Sequence, residues 1–397
     1  MARIRSRPAL ALALLFCALS LAQAEQLKSQ LGFYVDMPAG FTLKGGDGKA
    51  RFAFADPEGG MEFDILGYES GRFSDAKAIA NASLTKLGSS GDATPYAYEG
   101  RSAIFAELGF SLDGKKQRGY AVFIAGRRKT EDKGAPGSPT AGIENSYALI
   151  AYTSEAEFAA YSDFILSCLD AFSIDRAAQR SPGPVSQFTL DWPPARDAER
   201  TVALPSNGSA SLPWSDEEAA QEADTDAREY KVLTAYANEA ELSKDAWARF
   251  YRMVYRESAA RLDRLSLEAS RLLGGSDPTE TARRVLAWVQ GFVYDRDQKG
   301  IDFIPPLAAA YGAKGDCDSR AVVAAIVLER LGIDSILMVS REYSHAMLGV
   351  DVPGGGQRFD FNGKKYLVGE TTTKVGLGMI AASMADWSKW MGINLGD

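Results

Sequence analysis

The chain has 397 residues but a single histidine, His345, and only three cysteines, Cys17, Cys168 and Cys317. That scarcity excludes an ordinary structural zinc site, which needs four Cys or His ligands at short spacings and here finds no CxxC pair. No serine stands in a GxSxG elbow. The glycine runs at 45–48 and 354–356 lack the lysine and the strand-to-helix setting of a phosphate loop. Likewise, the acidic pairs at 295–297 and 316–318 lack the glycine and distal glutamate of a calcium loop. A net charge of −8 argues against nucleic acid, because such binding rests on a basic face that releases counterions. No metal, cofactor or nucleic acid is therefore expected.

Long apolar runs are also missing, except at the start of the chain. Residues 1–24 carry Arg3, Arg5 and Arg7, an apolar run over 9–19, and then Ala22-Gln23-Ala24. This is the order of a signal peptide, so an exported protein, periplasmic or extracellular, is expected, with no integral membrane segment once the signal is removed. A lipoprotein anchored through Cys17 is the alternative, and bulky Phe16 just before that cysteine fits it poorly. Removal of the signal leaves Cys168 and Cys317. A bridge between them in an oxidising compartment would block any thiol chemistry. However, Cys168 lies in the apolar-periodic stretch 164–172 and reads as a buried core thiol. Without structural disulfides the chain must rely on hydrophobic cores, and 46% hydrophobic residues are enough to build them.

What the chain does contain is a cysteine, a histidine and an acid in one segment. Cys317 sits in Gly315-Asp316-Cys317-Asp318-Ser319-Arg320, His345 follows 28 positions later, and Glu370, in Gly369-Glu370-Thr371-Thr372, follows 25 after that. A thiol becomes a useful nucleophile when an imidazole takes its proton and a third polar group fixes the imidazole's tautomer. Asp316 is placed to cap a helix running through Ala321, Val322, Val323, Ile326, Val327 and Leu331 to Gly332. Cys317 would then occupy the first turn, where free N–H groups and the helix dipole favour the thiolate and lower its pKa. Strands are predicted at 335–340, 346–352, 357–361 and 365–369, the last two around an Asn362-Gly363 hairpin turn that delivers Glu370 to a strand end.

These residues resemble the transglutaminase-like superfamily of papain-type thiol enzymes, over roughly the last third of the chain. The resemblance rests on the Gly315–Asp318 tetrapeptide before an apolar helix, on Ser344-His345-Ala346 before a strand, and on Glu370-Thr371-Thr372. Upstream, Ala287-Trp288-Val289-Gln290 through Val293-Tyr294-Asp295 looks like the helix and strand-like segment that precede the family's cysteine. Carried over, the resemblance implies Cys317 as nucleophile, His345 as general base and acid, and Glu370 as orienting carboxylate. Family members more often place aspartate third, which keeps Asp351 and Asp360 as competitors for Glu370.

The implied activity is acyl transfer at an amide or peptide bond through a cysteinyl thioester, with hydrolysis favoured over transamidation. The partner is then a protein or peptide, a cell-wall peptide among the options. The Cys317 N–H is the first oxyanion donor, and a second is expected from residues 288–294. The competing reading is a non-catalytic envelope binding protein with a vestigial triad; its C-terminal aromatic segment 384–390 would then serve for docking, although packing of Trp387 and Trp390 onto the thiol domain is the favoured expectation.

The expected fold class is α+β. Residues 25–175 alternate strands with Gly- and Asp-rich turns, and helical stretches appear near 75–87 and 155–172. This reads as an antiparallel sheet with helices packed to one side, a layout that looks like a PsbP-type sandwich. Residues 129–141 read as a loop. Residues 176–227 form a connecting region in which Pro and Gly break regular elements, 201–204 add a strand, and the acidic run 216–226 is solvated. Residues 228–397 make up the thiol domain with its leading elements: a strand at 228–236, then one helix over 244–273 facing a core through Trp247, Phe250, Tyr251, Val254 and Tyr255. Arg249, Arg252, Arg256, Arg261 and Arg264 are read as a solvated, ion-paired helix face.

Overall fold

The computed structural model describes residues 26–127, 144–236, 239, 242–296 and 301–396. The signal-peptide stretch 1–24, Cys17 and the 129–141 loop lie outside the described residues. Among the described residues no helix is long and apolar enough to cross a membrane.

The architecture is mixed α+β. An antiparallel seven-stranded sheet comes first, in the spatial order Thr42–Gly46, Arg51–Ala55, Met61–Tyr68, Ser146–Ser154, Lys115–Ile124, Arg101–Leu112 and Ala93–Tyr98. Its central strand, Ser146–Ser154, is buried at every position but the last, so both of its faces must be covered. Leu149 and Ala151 pack with Ile165, Cys168 and Leu169 of the helix Phe158–Asp170. Their neighbours Ala148 and Ile150 pack with Ala76, Ile79 and Ala80 of the helix Ala76–Leu87. The helices therefore sit on opposite faces, contrary to the one-sided packing expected. The continuous apolar run, where a half-exposed strand would alternate, is the physical reason.

The C-terminal sheet is also antiparallel, in the order Arg358–Phe361, Lys364–Gly369, His345–Val350, Ser335–Ser340 and Met391–Asn394. Against it packs the helix Cys317–Arg330, whose Val322, Val323, Ile326 and Val327 are fully buried. The predicted strands fall within one or two residues of those observed. Between the two sheets lie the hairpin Ala198–Leu204/Gly208–Trp214 and the helices Asp216–Tyr236, Ser243–Ala259, Asp263–Leu273, Pro278–Gln290 and Pro306–Gly312.

Three expectations fail in this middle region. Residues 228–236 are no strand, because they complete the helix Asp216–Tyr236. The acidic run is solvated on one face only: Asp216, Glu217 and Asp224 are exposed, whereas Glu218, Glu222 and Asp226 recur at helical spacing with Glu229 and Leu233 and are buried. The predicted single helix over 244–273 is interrupted around Arg261, whose guanidinium turns back to donate to the Glu257 carbonyl at 2.9 Å.

The arginine face meets that acidic face. Arg249 pairs with Glu229 at 2.8 Å and Arg228 with Asp170 at 2.6 Å, and Arg249, Arg256 and Arg261 are buried rather than solvated. Arg252 grips Asp36 through two bonds of 2.6 and 2.7 Å. Arg256 donates to the Phe172 and Ser181 carbonyls at 2.6 and 3.0 Å. A buried charge persists where the ion finds a partner, and Asp226, whose carboxyl oxygens have none, is instead pushed up toward its neutral form by burial and by Glu222; the paired arginines lock the helix Ser243–Ala259 between the two sheets. Its first turns then reach the cleft described next.

Candidate active site

Asp316 caps the cysteine helix by accepting the Ser319 N–H at 3.1 Å, and the Ser319 hydroxyl donates to the Ile304 carbonyl at 2.7 Å. The cap is thus tied into the preceding loop, and Cys317 is the first residue of the helix, as the sequence predicts. On the neighbouring strand His345 is the first residue. Glu370 follows the last residue of the strand Lys364–Gly369, which pairs with the histidine strand.

His345 Nε2 lies 2.8 Å from Glu370 Oε2. The other carboxylate oxygen accepts from the Thr372 N–H at 2.7 Å and from its hydroxyl at 2.6 Å. Gln290 holds the acid's backbone by donating to the Glu370 carbonyl at 2.7 Å and the Val375 carbonyl at 2.9 Å. Burial alone would raise the Glu370 carboxyl, but the imidazole and the Thr372 donors outweigh it and hold the group down at about 2. With Nε2 committed to Glu370, the ring nitrogen on the opposite side, Nδ1, is the one left for chemistry. The two competing acids are placed elsewhere: Asp351 lies 3.5 Å from Lys364 and Asp360 4.0 Å from Lys365.

Cys317 and His345 line one cleft of about 510 Å³ with Trp247, Tyr251, Tyr294, Asp318 and Trp390. The backbone N–H groups of Ala346, next to the histidine, and of Asp318 act to favour the Cys317 thiolate. The His345 ring meets the Trp390 ring edge to face at 6.2 Å, and the indole N–H is satisfied by the Met384 carbonyl at 2.9 Å. Trp390 therefore packs into the thiol domain instead of presenting a docking surface. Among the described residues Cys168 and Cys317 are both free, and Cys168 is fully buried in the N-terminal core.

One expectation about the sulfur is reversed. The thiol is pushed up from its ordinary range, first by burial and then by the Asp318 and Asp316 carboxylates, although the two N–H donors act in the opposite sense. The helix start does what the sequence implies, but two flanking negative charges in a desolvated site outweigh it. Asp318 accepts a hydrogen bond from Tyr251 and is itself pushed up to about 7 by burial and by Asp316. The Cys317, Asp316 and Asp318 ligand atoms lie within 4.8 Å of one another, the one such grouping among the described residues. Asp316 is already committed to its cap and no histidine joins the set, so nothing in it beyond proximity favours a metal.

Sequence reasoning missed Tyr251, Tyr294, Gln290 and Thr372 as site residues. Thr372, Gln290 and Tyr294 stood inside the segments that carry the resemblance, the last two in the 288–294 stretch expected to supply an oxyanion donor, and a polar Gln ending the apolar Trp288-Val289 face was a usable signal. Tyr251 was assigned to the core, and it is 2% exposed with its hydroxyl turned into the site.

No family model matches the chain, and no curated protein does. Among solved structures the chain is similar to a crystal structure from Bacteroides thetaiotaomicron VPI-5482, at 10% identity and a TM-score of 0.26. The match covers 61% of this chain and 80% of that one. A likeness of that size supports no conclusion about fold or function.

Proposed function

We propose that the protein is an exported, transglutaminase-like thiol enzyme that transfers acyl groups from amide or peptide bonds, hydrolysis being the main outcome. The observation that carries this reading is the His345–Glu370 bond of 2.8 Å, in a cleft that also holds Cys317. A carboxylate fixing one imidazole nitrogen leaves the other able to accept a proton from the thiol.

Burial and the two flanking acids favour the neutral thiol, so in this reading proton transfer accompanies attack. His345 Nδ1 takes the Cys317 proton while the sulfur adds to the carbonyl carbon, and the oxyanion is met by N–H groups at the helix start. Collapse breaks the carbon–nitrogen bond, the imidazolium proton leaves on the amine, and a thioester remains. Water, deprotonated by His345, then attacks the thioester to release the carboxylic acid and restore the thiol. A cleft of about 510 Å³ suits a peptide segment as substrate. The helix–sheet–helix layering of the N-terminal unit supports the PsbP-type layout, without chemistry of its own.

The second reading, a binding protein with a vestigial triad, is favoured by one observation, the upward push on the thiol. Alkylation separates the two. Iodoacetamide should label the wild type at Cys317, Cys317→Ala should stay unlabelled, and Cys168→Ala should label as the wild type. Equal labelling of wild type and Cys317→Ala rules out a reactive Cys317.

A further inference from the structure

Arg320 lies one turn beyond the cysteine and is 2% exposed. A guanidinium in that position is expected to meet a carboxylate, because an uncompensated buried cation is costly. Among the described residues Arg320 has no ion pair, and its bonds go to backbone carbonyls instead. Nε donates to Gly315 at 2.9 Å, Nη2 to Phe292 at 2.8 Å and Nη1 to Thr371 at 3.2 Å. These carbonyls belong to three separate segments. Gly315 precedes the cap of the nucleophile helix, Phe292 begins the strand-like stretch that places Tyr294 in the cleft, and Thr371 follows Glu370.

The segments also touch one another. Gly315 N–H donates to the Val293 carbonyl at 2.9 Å, and the Thr371 hydroxyl donates to the Cys317 carbonyl at 3.5 Å. On its open side the Arg320 guanidinium faces the Tyr294 ring, 5.6 Å from its centroid. One planar fork therefore fixes the spacing of nucleophile loop, acid loop and cleft wall, a task that lysine's single ammonium, with no planar fork, is poorly shaped to perform.

We propose that Arg320 is a positioning residue, which sets the register between the Cys317 loop and the Glu370 loop and places a buried positive charge within reach of Asp316 and Cys317. It does not touch substrate. Its charge offsets Asp316 and favours the thiolate form of Cys317, and its geometry keeps His345, through Glu370, aligned with the sulfur. The inference deepens the acyl-transfer reading and rests on it for its catalytic meaning, but the positioning claim has a separate structural readout.

The test compares wild type, Arg320→Met and Arg320→Lys, using iodoacetamide labelling of Cys317 across pH together with amide hydrogen exchange at residues 292–294, 315 and 371–372. Arg320→Met should raise the midpoint of the labelling profile and slow labelling at neutral pH by about tenfold or more. Arg320→Lys should keep the midpoint near that of the wild type yet speed exchange in all three segments, since charge is retained and the fork is lost. If Arg320→Met does not fold, Arg320→Lys alone decides: wild-type exchange in every segment overturns the proposal. An unchanged midpoint in folded Arg320→Met overturns it as well. Should wild-type Cys317 prove unreactive throughout, the acyl-transfer reading fails, while the exchange comparison still judges the positioning claim.

Discussion

Replacing Glu370 by glutamine keeps the shape of the side chain and removes its charge, which isolates what the acid contributes to His345. The carboxyl is held down from its ordinary 4.5 to about 2. At ~1.36 kcal/mol per pH unit, that difference corresponds to about 3 kcal/mol of preference for the charged form. Screening is limited, because the side chain is 6% exposed. Burial opposes the shift, and His345, ahead of the two Thr372 donors, overcomes it, so the imidazole's part is on the order of the net figure itself. The imidazolium formed during attack loses that support in Glu370→Gln, and acylation should slow by about tenfold to hundredfold. Rapid-quench measurement of acyl-enzyme formation at neutral pH reads this directly. The same substitution has a pH signature in stability. A depressed carboxyl stabilises the fold above its unfolded value and stops doing so as pH falls through its folded value. The stability difference between wild type and Glu370→Gln should therefore be full above pH 4.5 and shrink toward pH 2. Acylation at the wild-type rate in a folded Glu370→Gln would refute the orienting role.

Three further outcomes follow from the same geometry. Asp318→Asn removes one of the carboxylates that push the thiol up, so the alkylation midpoint of Cys317 should fall and its rate at pH 8 should rise; an unchanged or higher midpoint contradicts the charge argument. Gly315→Ala would put a Cβ 2.7 Å from the Ser319 Cβ, beside a hydroxyl bonded to Ile304 and Asp316, and should lower stability by about 1–3 kcal/mol in urea titration; a neutral effect would show the cysteine loop to be pliable. Arg249→Met leaves the Asp36 carbonyl without its donor and takes one of two arginines from buried Glu229, which keeps Arg228 and the Ser167 hydroxyl, and should cost about 3 kcal/mol; a loss below about 1 kcal/mol would mean the network is not holding the two units together.

The nucleophile end of the site was legible because its signals are local. An Asp before a helix, a Cys in the first turn and a His opening a strand are each set by neighbours in sequence, and the structure places Cys317 and His345 in one cleft. The choice among Glu370, Asp351 and Asp360 was not legible, since it depends on which strand end lies beside His345. The helix Asp216–Tyr236 escaped notice for a different reason. Hydrophobic periodicity is the signal for a buried helix face, and here the buried stripe is Glu218, Glu222, Asp226 and Glu229, which reads as a solvated run until Arg249 is brought against Glu229, Arg261 against Glu218 and the Leu307 N–H against Glu222. Two-sided packing of the first sheet was written in the unbroken apolar strand Ser146–Ser154 and was under-read. The raised thiol needed coordinates, because the helix start favours the thiolate while burial and two flanking acids oppose it, and only their distances decide the winner.

The most direct test is intact-mass and peptide-mapping analysis of the full protein, acid-quenched shortly after mixing with short peptide esters and amides. We expect one acyl adduct, mapped to Cys317, absent from Cys317→Ala and formed far more slowly in His345→Ala. No adduct in the wild type, or an adduct that persists in Cys317→Ala, would contradict a nucleophilic Cys317.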